Sequence, residues 1–184
     1  MTSRETLTGF LDPPDPLAAA AAAGVQPGVV TWSRTPVPAD WLIDGEDEGP
    51  IDAHRAAHVE GRSSEAVVRY GAGIAASEVV DRLLALGALA EETGRLAAVR
   101  LMPADGTDGR PGSWGVEDLA VTAVARLALG DGPLIRVDWR LVGAAAAQVA
   151  ASFGASDWQI PPDDTADPDH LAAAIGCRAQ ERTS

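Results

Sequence analysis

This sequence is poor in sulfur and lacks lysine. Cys177 is the only cysteine among 184 residues, so the chain alone can build neither an internal disulfide framework nor a cysteine-ligated zinc or iron–sulfur centre. All 14 basic residues are arginine, a bias typical of high-GC bacterial genomes. Aromatic residues are only 4%, which leaves the core to Ala, Val and Leu. No apolar run approaches the roughly 20 residues that span a bilayer, and the opening MTSRETLTGF lacks the basic and apolar regions of a signal peptide. Both absences predict a cytoplasmic protein with no membrane contact. A formal charge of −13 opposes a phosphate backbone and argues against nucleic acid as a partner.

What is present reads as one domain. The length suits a single core, and the pattern alternates helical segments with short β-branched runs from residue 13 onward. Residues 1–12 read as an N-terminal tail, and 13–184 as a single α/β domain with a loop insertion at 34–50, where three prolines and an acidic run leave no regular element. Helices are predicted through Ala18–Ala23, at 51–60, at 76–93 up to Gly94, from Val116, at 143–152 and from Asp167 to Gly176. In the helix from Val116, the residues Val116, Leu119, Ala120, Ala123, Val124 and Leu127 fall on one stripe. Strands are predicted at 28–33, 66–70, 97–102, 134–139 and 157–160. Strict alternation implies right-handed crossovers and a parallel sheet. About five strands are too few to close an eight-stranded barrel. The expected fold is a partial (β/α) barrel or an open parallel sheet flanked by helices, a doubly wound sheet being the alternative.

Chemical motifs are few. His54 and His58 stand four apart on a predicted helix, a metal-ligand spacing, but His-Arg-Ala-Ala-His lacks the glutamate of a zinc-protease helix; packing or surface histidines are the competing reading. His170 beside Asp169 is expected to be exposed. The glycine-rich stretches at 71–73, 106–115 and 130–132 match neither a dinucleotide fingerprint nor a P-loop and read as turns. Cys177 follows Gly176 at a helix C-terminus, away from the N-terminal position that favours a thiolate. No catalytic residue and no metal ligand is assigned. In parallel α/β folds functional groups gather at the C-terminal ends of strands, which nominates Arg34, Tyr70, Met102, Asp105, Trp139, Arg140 and Asp157 as a candidate pocket. Core packing of the two aromatics and solvation of the arginines are the alternatives.

Residues from about 53 to 182 carry ordered segments that point further. These are RAAHVEGRSSEAVVRYG (55–71), RLLALGALAEETGRLAAVRLMP (82–103), VEDLAVTAVARLALGDGPLIRVDWRLVGAAAAQVAASFGASD (116–157) and AAIGCRAQERT (173–183). In this order they resemble the C-terminal half of a group of radical S-adenosylmethionine enzymes: aminofutalosine synthase, the dehypoxanthine futalosine cyclase of menaquinone biosynthesis, and the deazaflavin synthase subunits. Aminofutalosine synthase is the most similar member of the three. The resemblance implies (β/α) barrel units with substrate and S-adenosylmethionine at the C-terminal ends of the strands.

The departures matter as much. The family's cluster is held by CxxxCxxC in an N-terminal half that has no counterpart here, its YGH is Tyr70-Gly71-Ala72, and its GADDLGGT is replaced from Gly154 by GASDWQIP. Reductive cleavage of S-adenosylmethionine needs an iron site that delivers an electron and chelates the cofactor. The expectation is therefore a shortened, non-catalytic relative that binds no cofactor alone. It would serve futalosine-dependent menaquinone biosynthesis by binding a futalosine-type small molecule or by pairing, as a homo-oligomer or with a radical S-adenosylmethionine partner subunit. Two alternatives remain. The chain could be the half-site subunit of a two-chain enzyme, with cluster and S-adenosylmethionine supplied through the partner, or an independent small-molecule-binding α/β domain.

Overall fold

The computed structural model describes residues 2–25, 28–35, 37–45, 47–106, 112–113 and 115–182. Within the glycine-rich stretch 106–115, residues 107–111 and 114 lie outside the described ones. In chain order the elements are α1 (Arg4–Gly9), α2 (Pro16–Ala23), β1 (Val29–Ser33), β2 (Leu42–Ile43), α3 (Ile51–Val59), β3 (Ser64–Tyr70), α4 (Ala76–Thr93), β4 (Leu96–Pro103), α5 (Val116–Leu129), β5 (Leu134–Asp138), α6 (Trp139–Val142), α7 (Ala144–Ala151), β6 (Asp157–Gln159), α8 (Pro168–Ala174) and β7 (Arg178–Glu181). Among the described residues no helix is long and apolar enough to cross a membrane.

All strand pairs are parallel, and the sheet order is β2-β3-β4-β5-β6-β1-β7, so β2 and β7 form its two edges. The five expected strands are present. Two short ones extend the sheet: β2, inside the segment read as a structureless loop, and β7, beyond the last predicted helix. Residues 4–9, read as a tail, form α1. Ser3 accepts the N–H of Thr6, and Leu7 is fully buried.

Local chemistry explains where the helices stop and start. Asp15 caps α2 through Ala18 N at 3.0 Å, with Pro16 at the first turn, and Gly24 ends it at φ 64°. The alanines of α2 give little apolar bulk but permit close packing on α5. A Cβ at Gly87 of α4 would lie 2.6 Å from Ala128 O of α5, so close approach of these two helices depends on that glycine. The buried face of α5 is wider than the predicted stripe. Val121, Thr122 and Ala125 join Ala120, Ala123 and Val124, while Val116 is half exposed. The helix is sandwiched between the sheet and α2, α4 and α7, which covers it on several sides.

The two faces of the sheet differ in kind. Ala66, Val68, Tyr70, Val99, Leu101 and Ile135 pack with buried residues of α1, α2, α4 and α5. Val30, Val137 and Trp158 pack with α7 and α8 in a second cluster. Ile135 and Val137 are two apart on β5, so both clusters cover the same face. This one-sided helix layer is the arrangement of a partial (β/α) barrel with an open sheet, and differs from a doubly wound fold, which carries helices on both faces. Each fully buried leucine of this layer, such as Leu83 or Leu86, contributes about 1.5–3 kcal/mol.

Candidate functional site

The alternate strand positions form the inner face. Their register aligns Val67, Arg100, Arg136, Asp157, Thr31 and Gln180 in one row across β3, β4, β5, β6, β1 and β7. A second row, toward the strand ends, contains Asp138, Gln159 and Ser33. Parallel strands covered on both faces usually read as continuous apolar runs. Here charge sits in mid-strand instead, and it faces a cavity.

That cavity, of about 260 Å³, opens at the C-terminal ends of the strands and is lined by Arg34, Val37, Ile43, Glu65, Arg100, Arg136, Asp138, Arg140, Gln159 and the Ile160–Pro162 turn. At its floor Arg136 donates from Nε to Asp157 at 2.6 Å and from Nη1 to Glu65, bridging over β4. All three side chains are at most 2% exposed. Arg100 also pairs with Glu65, at 3.2 Å, and Thr31 Oγ1 donates to Asp157 at 2.5 Å. Burial lowers the Arg136 pKa, Asp157 opposes that shift, and the nearby positive charge of Arg182 adds to it. An arginine stays protonated through such shifts. Nη2 of Arg136 is buried and has no hydrogen-bond partner among the described residues.

The candidates nominated from sequence separate. Arg34 lines the cavity, lies over the Trp32 ring with 5.8 Å to the centroid, and donates to the carbonyls of Pro161, Asp164 and Ala166, holding the 161–166 turn. Arg140 stands at the rim, where its hydrogen bonds to Asp138 raise its pKa. Asp157 lies beneath the floor, fully buried and held by Arg136, without lining the cavity itself. Tyr70 and Trp139 are turned to the helix side. Tyr70 shares the face of Val68, and its hydroxyl donates to Asp118 at 2.8 Å. Strand β5 ends one residue earlier than expected, so Trp139 opens α6 and packs on Trp158 with 5.5 Å between ring centroids. Met102 is buried without lining the cavity, and Asp105 is exposed in the loop after β4. The residues missed are Glu65, Arg100, Arg136 and Asp138. For Arg100, Arg136 and Asp138 the signal was in the sequence, as charges inside the apolar runs AAVRLM and LIRVDW; Glu65 precedes the run AVVRY and carried no such mark.

The acidic residues Asp44, Asp47 and Glu48 flank the β3 side. Asp44 Oδ2 accepts the N–H of Val67 at 2.9 Å, and Glu48 accepts that of Arg69 at 2.8 Å, so side-chain carboxylates cover strand amides beyond the end of β2. Arg100 donates to the carbonyls of Asp44 and Gly45, tying this segment to the inner face. Asp44 also meets His54 at 3.1 Å and Arg82 at 3.2 Å. Burial raises its pKa, but the neighbouring His54 and the N–H groups of Val67 and Gly49 outweigh burial and hold it below the ordinary carboxylate range.

His58 turns to Ser64 and Thr93, each at 2.8 Å, so the two histidines of α3 serve separate packing contacts. Among the described residues no group of three His, Cys, Asp or Glu side chains is arranged to hold a metal. Cys177 is buried in the helix-side cluster, across the sheet from the cavity. A single thiol facing away does not fit an iron–sulfur cluster at the strand ends.

No family model matches this chain, and no curated protein matches it.

Proposed function

We propose that this chain is a non-catalytic, radical S-adenosylmethionine-like binding protein of the cytoplasm, which holds a small molecule in the polar cavity at the C-terminal end of its partial barrel. The observation that carries this reading is the state of the cavity's carboxylates. Glu65, Asp138 and Asp157 are each engaged by arginine, so a preorganised charged wall stands where a general base or nucleophile would be needed for turnover. The segments that resemble the aminofutalosine synthase group fall on α3–β3, α4–β4 and α5 through β6, the units that build this wall. That overlap favours a futalosine-type ligand and a place in menaquinone biosynthesis.

Ligand-detected NMR with futalosine-type compounds tests the reading, using Ile43→Trp to fill the cavity from the half-exposed β2 edge. Saturable binding to the natural chain that is lost in Ile43→Trp is the expected result. Equal binding to both, or none to either at millimolar ligand, overturns it. One observation favours the half-site alternative. Strand β7 is a sheet edge whose residues are largely exposed, whereas the β3 side is covered by acidic side chains. A CxxxCxxC-bearing partner chain seated there would yield deoxyadenosine from S-adenosylmethionine under anaerobic co-expression. Absence of deoxyadenosine in that mixture removes this alternative.

A further inference from the structure

The ligand class of this cavity can be narrowed from its charge and its unpaired donors, on the reading that the cavity is a binding site. It is lined by the guanidinium groups of Arg34, Arg100, Arg136 and Arg140 and by the carboxylates of Glu65 and Asp138. Four positive against two negative groups leave an excess of two positive charges. This excess arises in a chain whose net charge is −13. Arg34 contributes to it directly, because its three hydrogen bonds go to backbone carbonyls rather than to a carboxylate.

The donors agree with the charge. Arg136 is 1% exposed, and its Nη2 has no acceptor among the described residues although Nε and Nη1 are both engaged. Arg182 Nη1 is likewise buried and without an acceptor among them. Asp157 Oδ2 meets Arg136 Nε at 2.6 Å and Arg182 Nη2 at 3.7 Å, so the two guanidinium groups share one carboxylate. A buried donor left unmatched costs about 1–3 kcal/mol, more when charged, and such groups are otherwise matched by water, an ion or a ligand. Guanidinium forks match the geometry of carboxylate and phosphate oxygens.

We infer that the cavity is an oxyanion site: Arg140 at its rim and Arg34 in its wall receive the carboxylate or phosphate group of a small anionic molecule, and the buried Arg136 beneath them supplies positive charge. At about 260 Å³ the space is several times larger than a carboxylate or phosphate group, so it also holds part of the molecule that carries the anion.

Thermal melting and calorimetry at constant ionic strength test this with inorganic phosphate and with acetate, acetamide serving as the isosteric neutral probe. Expected is a saturable rise in melting temperature with phosphate or acetate and none with acetamide; which anion binds more tightly separates the two oxyanion sources. Arg136→Gln should abolish the response. Because that variant disturbs a buried network and could fail to fold, Arg140→Gln at the exposed rim is the second arm. It should weaken anion affinity roughly tenfold or more. Arg178→Gln, the same charge change at the opposite end of β7, should leave affinity unchanged.

Equal responses to acetate and acetamide, no saturable anion response, or equal losses in Arg140→Gln and Arg178→Gln would each overturn the inference. Binding of a futalosine-type compound that Ile43→Trp removes and Arg140→Gln spares would leave the binding function standing and sink only the oxyanion assignment. Phosphate binding without any futalosine binding would do the reverse.

Discussion

Arg136 and Asp157 meet at 2.6 Å across neighbouring strands β5 and β6, both out of contact with water, and the same guanidinium reaches Glu65 on β3. Three strands are thereby joined by side chains as well as by their backbone ladders. Burying these charges is itself costly, so the pairing does more to fix the arrangement than to add stability. Removing one partner is different. Asp157→Asn should destabilise the fold by about 3–5 kcal/mol, because Arg136 keeps its charge and loses its principal acceptor. Urea denaturation checks this. A double Arg136→Met, Asp157→Val variant should lose clearly less than the sum of its single changes, since no charge on that pair is left stranded.

The acidic segment makes a second prediction. A Cβ at Gly49 would lie 2.0 Å from Asp44 Oδ1, so Gly49→Ala must displace the carboxylate that holds Val67 N, His54 and Arg82. A loss of about 1–3 kcal/mol is expected. Acid should act on the same contact. Asp44 titrates below its usual value in the folded chain. Its contribution is therefore complete above the unfolded carboxylate pKa of about 3.9 and is lost as pH falls through the lower folded value. Asp44→Asn should lose stability at pH 6 and show a shallower decline toward pH 3; an unchanged slope in urea midpoints would remove Asp44 from the acid response.

The contrast between what the sequence disclosed and what it hid has a physical basis. Long periodic helices such as α4 and β-branched strands such as β3 announce themselves, because burial on one face imposes a period. The edge strands carry no such mark. Strand β7 is Arg-Ala-Gln-Glu, and β2 is two residues between prolines and acids, so their conformation is set by neighbours rather than by propensity. The site was half legible for a related reason. Attention to strand ends found Arg34, Arg140 and Asp157, but strand direction alone does not say which face a residue occupies, and Tyr70 and Trp139 lie on the helix side. The mid-strand charges Arg100 and Arg136 held that information.

Tyr70 offers an alkaline test with little background, because it is the only tyrosine. Burial first, and then the negative charge of Asp118, raise its pKa far above the ordinary phenol value. A raised folded pKa means that its contribution is complete below the unfolded value of about 10 and declines as pH rises beyond it. Tyrosinate absorbance should then appear together with unfolding, not ahead of it. Tyr70→Phe should cost about 1.5 kcal/mol at neutral pH through the lost hydrogen bond to Asp118, and should flatten the alkaline decline. Tyrosinate forming in a chain that keeps its native circular dichroism would refute the burial argument.

Cys177 reports on the β7 edge. The thiol is 7% exposed, its backbone N–H is bound to Ala172 O at 2.9 Å, and it immediately precedes the strand that pairs with β1. So low an exposure should make labelling of the native chain slow and sensitive to local opening of α8 and β7, whereas denaturant should release one equivalent at once. Immediate stoichiometric labelling of the native chain would contradict that burial. The same measurement bears on pairing. A second chain added along β7 would hold the edge closed and slow labelling in proportion to its occupancy, whereas a ligand confined to the inner-face cavity would slow it only by stabilising the whole fold. Gln180→Pro weakens the edge from within by inserting a residue without an N–H into β7. It should accelerate labelling several-fold while leaving the inner-face response to anions in place.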